Sequence, residues 1–177
     1  MLIVAIGDTH IPGRAKEIPQ EIAKKVEELS PDRILFTGDA NEYSVLFFFE
    51  NIAPTYAVKG NTDYLDLPNM LSLNIRGRKI MLIHGHQFGR GNYPALLNYA
   101  RGHDILVCGH THRQETFKEG GIVVINPGSA TGAWSGGGLT PKPSFTAFEI
   151  KRGGLEIEEY VMGGGGGIQN KRTEIKD

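Results

Sequence analysis

Five of the six histidines in this chain stand just after short apolar runs. The run 2–6 leads through Gly7 to Asp8, Thr9 and His10, and the run 33–37 through Gly38 to Asp39. The run 55–58 leads to Lys59, Gly60 and Asn61, and the run 80–83 to His84, Gly85 and His86. The run 104–108 leads through Gly109 to His110, Thr111 and His112. A lone Gly-Asp is a turn, and a lone buried histidine is a satisfied core residue. Neither reading accounts for seven N/O donors (Asp8, His10, Asp39, Asn61, His84, His110 and His112) gathered at one end of a sheet. Such a cluster is costly unless metal ions neutralise it. Carboxylate, carboxamide and imidazole without thiolate suit octahedral hard or borderline divalent ions. Mn2+ and Ni2+ lead that set, with Fe2+, Zn2+ and Mg2+ as alternatives. Seven donors are too many for one ion that keeps an open position. They suit two ions sharing a bridging carboxylate, an arrangement that activates a water for in-line attack on phosphorus. His103, at a strand entrance, and Cys108, a small apolar filler within a strand, are expected to lie outside the site.

Strands must carry these residues. Continuous apolar, β-branched runs bounded by glycine read as strands buried on both faces, and ligands bind beyond the carboxyl ends of such strands. Helical spacing marks Gln20–Leu29, stopped by Pro31, and also 41–51 and 93–101. Strand–helix alternation is the signature of an α/β layered domain. Residues 70–83 read as a hairpin turning at Arg76-Gly77, and 114–125 and 144–161 as two more. The expected result is a mixed sheet system, two packed sheets with helices outside. Residues 1–162 form one domain in this reading. The five consecutive glycines at 163–167 form a flexible linker, and the polar segment 168–177 is a mobile tail.

The composition bounds the function. The chain has 177 residues, 40% hydrophobic and 22% charged, which excludes a disordered polyelectrolyte. Its net charge of −1 makes nucleic acid an unexpected partner. No apolar stretch suggests a membrane span. Asp8 and His10 interrupt the first apolar run too early for a secretion signal. One cysteine allows neither an internal disulfide nor a Cys-rich zinc site. A cytoplasmic protein is expected.

The ordered series Asp8-Thr9-His10, Gly38-Asp39, Gly60-Asn61-Thr62-Asp63, His84-Gly85-His86 and Gly109-His110-Thr111-His112 resembles the calcineurin-like metallophosphoesterases. The closer similarity is to their small archaeal and bacterial phosphodiesterase branch. The stretches 83–87 and 125–133 also resemble the vacuolar sorting retromer subunit of the same superfamily. The resemblance implies a four-layer sandwich, two mixed β-sheets flanked by helices. It implies a divalent-metal-dependent phosphodiesterase in which two ions activate a bridging hydroxide and the substrate is a small phosphodiester. Asp8, His10 and His112 would hold one ion, and Asn61, His84 and His110 the other, with Asp39 bridging. Asn61 and His86 would be the catalytic residues, His86 either facing the substrate phosphate or supporting a ligand. Asn126 and the Pro127-Gly128-Ser129 turn would be structural. Arg14, Arg90 and Arg113 lie near the motif loops, where a solvated role outweighs a substrate contact. Many phosphomonoesterases of the superfamily carry a leaving-group histidine where this chain has Thr62, which cannot act as an acid near neutral pH.

Two alternatives stand beside the enzyme. One is a retromer-like scaffold, but that subunit departs from the metal pattern where Asp39 and Asn61 stand here. The other is a nuclease, which needs a basic groove or an added domain. Phe47, Phe48 and Phe49 span too much helix circumference for one core stripe, so core burial is weighed against an exposed ring that pairs subunits in a homo-oligomer.

Overall fold

Strand β1 (Leu2–Ile6) shows why an unbroken apolar run is needed at the centre of this protein. The computed structural model describes residues 1–136 and 140–177. Ile3 and Ala5 face a second sheet, whereas Val4 and Ile6 face helices, and all four are fully buried. Side chains alternate across a strand, so a strand covered on both faces has no polar position to spare.

β1 pairs in parallel with β2 (Arg33–Phe36), which pairs in parallel with β3 (Thr55–Ala57). On its other side β1 meets β9 (Ser144–Lys151) antiparallel, followed by β10 (Gly154–Met162) and β11 (Ile168–Lys176). The second sheet has the order β4 (Met70–Ile75), β5 (Arg78–Ile83), β6 (Ile105–Val107), β8 (Ile122–Pro127), β7 (Gln114–Glu119). Within it β5, β6 and β8 run parallel and both edge pairs antiparallel.

Three apolar layers hold four structural layers together. Ile22 and Val26 of α1 (Gln20–Leu29) and Val45, Leu46 and Phe49 of α2 (Tyr43–Glu50) pack on the outer face of the first sheet. Ile3, Leu35, Ile80, Val107 and Phe148 belong to the layer between the sheets. Leu96, Leu97 and Ala100, in and just after α3 (Tyr93–Tyr99), cover the outer face of the second sheet with Cys108. The expected α/β sandwich of two mixed sheets flanked by helices is therefore what forms. Helix α2 begins later than the sequence pattern suggests. Asn41 takes a left-handed backbone, φ 67°, and gives its N–H to Asp63. Phe49 is buried, Phe48 half-buried, and Phe47 60% exposed. No helix among the described residues is long and apolar enough to cross a membrane.

The segment 168–177 is not a free tail. Residues 168–176 pair with all of β10 as strand β11, and the glycine segment closes the turn, with Gly163 N–H donating to Gly167 O at 2.7 Å. Without this strand β10 would expose a row of unpaired backbone groups. Ile168 and Ile175 pack on the two cores, and Arg172 reaches Glu156 at 2.8 Å. Amide hydrogen exchange tests this strand. Alternate amides across 168–176 should exchange far more slowly than in a free chain, and uniformly fast exchange there would contradict the pairing.

Candidate metal centre

The carboxyl ends of β1, β2 and β3 meet those of β5 and β6, and the loops leaving them carry the expected donors. Those loops are bent hard. Asp8, His10, Asp39, His110 and His112 all have left-handed backbones, with φ of 50°, 50°, 56°, 69° and 58°. Non-glycine residues avoid this region, and where several gather the surrounding structure must hold them. Close backbone approach does part of that. A Cβ on Gly60 would run into the Asp39 carboxylate, and one on Gly109 would stand 2.5 Å from Asp8 Oδ2.

Each carboxylate divides its oxygens between backbone and centre. Asp8 Oδ2 accepts from His110 N–H at 3.0 Å, and Asp39 Oδ1 accepts from Thr62 N–H at 2.8 Å. Asp8 Oδ1 and Asp39 Oδ2 are left facing imidazoles. His112 Nε2 is 3.2 Å from Asp8 Oδ1, and His10 Nε2 is 3.3 Å from Asp39 Oδ2. His84 Nε2 is 3.5 Å from Asp39 Oδ2 and 3.0 Å from Asn61 Oδ1.

The imidazole orientations decide what this arrangement can bind. His112 Nδ1 lies 2.7 Å from Ala133 O, and His84 Nδ1 lies 2.8 Å from Thr37 O. A carbonyl only accepts, so both Nδ1 atoms carry the proton and both neutral rings present an Nε2 lone pair inward. His112 Nε2 also faces His10 Nε2 at 3.0 Å. Acceptors thus converge on acceptors in a buried space. Asp8 Oδ1 is fully buried and has no hydrogen-bond partner. Only a proton or a cation satisfies such a set.

Titration behaviour agrees. Burial pushes the Asp8 carboxyl upward, but His84, His112 and His10 outweigh it and hold Asp8 below the usual range. Burial lowers His112, yet the Asp8 carboxylate, 3.2 Å from its Nε2, raises it above an ordinary imidazole. Burial pushes His10 down to about 4, against the attraction of Asp39 and Asp8. Burial, then the charge of His84, pushes His110 down to about 4.

Two groups of donor atoms lie within 4.8 Å of one another: Asp8, His10 and His112, and Asp8, Asp39 and His84. Asn61 joins the second through His84. His110 falls outside both, its ring centroid 5.2 Å from that of His84. His86 opens a short 3-10 turn, His86–Phe88, with its ring 5.3 Å from His84. Its buried Nδ1 has no partner, and burial, then His84, lowers its pKa. His103 belongs to neither donor group and is bonded to Ser72 Oγ at 2.8 Å.

The residues read as structural brace the loops. Asn126 Nδ2 donates to Gly109 O and Thr111 Oγ1, and its Oδ1 accepts from Gly128 N–H. Ser129 Oγ donates to Asp8 O at 2.7 Å. Arg14 and Arg90 donate to the carbonyls of Trp134 and Ser135, next to the Ala133 carbonyl that His112 uses. Arg113 is exposed near Glu115.

Sequence reasoning assigned no role to Asp63. Its Oδ2 accepts from Asp39 N–H and Gly60 N–H, both at 2.8 Å, and its Oδ1 from Asn41 N–H at 2.7 Å. One buried carboxylate so ties the Asp39 loop to the Asn61 loop. The available signal was its place three residues after Gly60, the spacing at which a short acidic side chain caps a turn. Asp63→Ala strips an acceptor from three N–H groups. Such bonds contribute about 1.5–3 kcal/mol each, and water recovers part of that. The expected loss is about 3 kcal/mol, a fall of roughly 6–12 °C in the melting midpoint of metal-free protein. A fall under about 2 °C would show these donors find other partners.

The calcineurin-like phosphoesterase superfamily domain matches residues 1–153. A probable metallophosphoesterase of Methanothermobacter thermautotrophicus is 36% identical over 136 residues, covering 74% of this chain and 78% of that protein. One from Methanocaldococcus jannaschii is 38% identical over 134 residues, covering 74% and 69%. Wild-type Vps29 of Entamoeba histolytica, solved in complex with Zn2+, aligns with a TM-score of 0.90 at 36% identity, over 98% of this chain and 99% of that one. Matched over most of its length, the chain belongs to the calcineurin-like phosphoesterase superfamily.

Proposed function

We propose that this protein is a phosphodiesterase that acts with two divalent cations on a small phosphodiester. The observation that carries the proposal is the inward convergence of lone pairs from His84, His112, Asp8, Asp39 and Asn61, with Asp8 Oδ1 unpartnered. In this reading Asp8, His10 and His112 surround one ion, and Asn61, His84 and His110 the other. Asp39, within 3.5 Å of both His10 and His84, stands between them. The donor set favours Mn2+ or Ni2+, with Fe2+, Zn2+ or Mg2+ as alternatives. The Zn2+ held by the Entamoeba protein supports a divalent ion in this fold. A cytoplasmic location is in keeping with the single buried cysteine.

When bound, such ions polarise the phosphoryl oxygens and supply the nucleophile from water. The chain's residues fix donor positions and exclude solvent beneath the substrate. Asn61, exposed at the rim and close to His84, adds a neutral donor that leaves room for an anionic substrate. His86 is half-buried on the His84 side, and burial lowers its pKa, so its ring is suited to donating an N–H to an oxygen of the substrate phosphate.

Two tests follow. Asp39→Asn should weaken Mn2+ binding by more than about 10-fold and lower diester hydrolysis with it, whereas His103→Ala should leave both near wild type. Equal losses in the two variants would contradict the placement of the centre. The second test concerns the leaving group. A positioned acid contributes roughly 10²–10⁴-fold, and Thr62, at the position that would hold one, cannot supply it. Rates should fall steeply as leaving-group pKa rises. Aryl diesters should be cleaved well and alkyl monoesters poorly, and a shallow dependence would overturn this mechanism.

A second reading, a scaffold that engages a protein partner, is favoured by the near full-length likeness to Vps29 and by the 60% exposure of Phe47 on α2. A chain that binds Mn2+ yet hydrolyses no member of a phosphoester panel would decide for it.

A further inference from the structure

His84 and His112 owe their inward lone pairs to backbone carbonyls, which cannot reverse polarity. Among the described residues His10 has no such carbonyl. Its Nδ1 lies 3.2 Å from Thr62 Oγ1, and Thr62 Oγ1 lies 2.7 Å from Asn41 Oδ1. A hydroxyl has one proton. Asn41 Oδ1 only accepts, so the Thr62 proton goes there, and the hydroxyl oxygen is left to accept from His10 Nδ1–H. Asn41 is itself pinned, because its backbone N–H donates to Asp63 Oδ1 at 2.7 Å.

We infer that Asn41 and Thr62 are positioning residues that fix the tautomer of His10 and thereby set the affinity of the first cation site. The inference rests on the metal reading above. With the chain of bonds in this sense, His10 Nε2 turns its lone pair towards Asp39 Oδ2 at 3.3 Å and His112 Nε2 at 3.0 Å. Reversed, with the Asn41 amide nitrogen donating to Thr62 and Thr62 donating to His10 Nδ1, the proton moves to Nε2. It then bonds to Asp39 and occupies the space a cation needs. The polarity of one carboxamide decides between the two states. Both residues lie outside the donor set, so substitutions there tune the site without removing a ligand.

Partners of this kind change metal affinity by about 10–100-fold when removed. The experiment uses the full chain, Mn2+ alone as the probe, and the variants Thr62→Val and Thr62→Ser. Competition against a chelator should show Mn2+ binding weakened about 10–100-fold in Thr62→Val and close to wild type in Thr62→Ser, which restores the hydroxyl. Long-range 1H–15N spectra of the metal-free protein at mildly alkaline pH should show His10 as the Nδ1–H tautomer in wild type and Thr62→Ser. In Thr62→Val the Nε2–H form should appear. A purely structural role for Thr62 would lower stability without moving that tautomer. Wild-type His10 in the Nε2–H form, or Mn2+ affinity unchanged in a folded Thr62→Val, overturns the inference while leaving the metal reading intact. Failure of wild type to bind Mn2+ at all overturns both. If Thr62→Val does not fold, the wild-type tautomer and the Thr62→Ser affinity still decide.

Discussion

Buried acceptors that face one another are the constraint on which this structure depends. Asp8 and His84 are fully buried, and His10, Asp39 and His112 nearly so. Their inward atoms are carboxylate oxygens and imidazole lone pairs. Left alone, such a set repels itself in a medium that screens poorly. It persists because each residue is held from behind, His10 by the Thr62 hydroxyl and the other four by bonds to backbone. His84 is held by Thr37 O, His112 by Ala133 O, Asp8 by His110 N–H and Asp39 by Thr62 N–H.

The sandwich supplies that rigidity. Three apolar layers fix the two sheets, so the strand ends from both sheets meet at one place. The strained loops are then overdetermined by cross-links: Asp63 ties the Asp39 and Asn61 loops, Asn126 and Ser129 tie the Gly109 and Asp8 loops, and Arg14 and Arg90 hold the carbonyls beside Ala133. Left-handed backbone at five donor-bearing residues costs of order 1–3 kcal/mol at each. That energy is offset by packing in the layers below, and the result is a centre whose geometry is set before any ligand arrives.

Much of this was legible in the sequence because it depends on local order. Runs such as 2–6 and 105–108 have no charged or strongly polar position, which only a doubly covered strand requires. Donors placed just after those runs must share an end of the sheet. What stayed hidden depends on partners distant in the chain. Strand β11 has only Ile168 and Ile175 as aliphatic anchors, and after five glycines it reads as a tail; its order comes from the edge of β10. His110 follows the same strand-end rule as the others, yet its side chain turns beside His84 rather than into either donor group. Thr62 and Asp63 sit in a motif that drew attention to Asn61, and their roles depend on His10, Asn41 and Asp39 arriving from other loops.

The most direct test of the account is the number and position of bound ions in protein loaded with Mn2+, measured by elemental analysis and by anomalous scattering from crystals. The account predicts two ions per chain, one among Asp8, His10 and His112, the other among Asn61, His84 and His110, with Asp39 between them. A saturated, folded protein holding a single ion, or ions bound by residues outside this set, would contradict it.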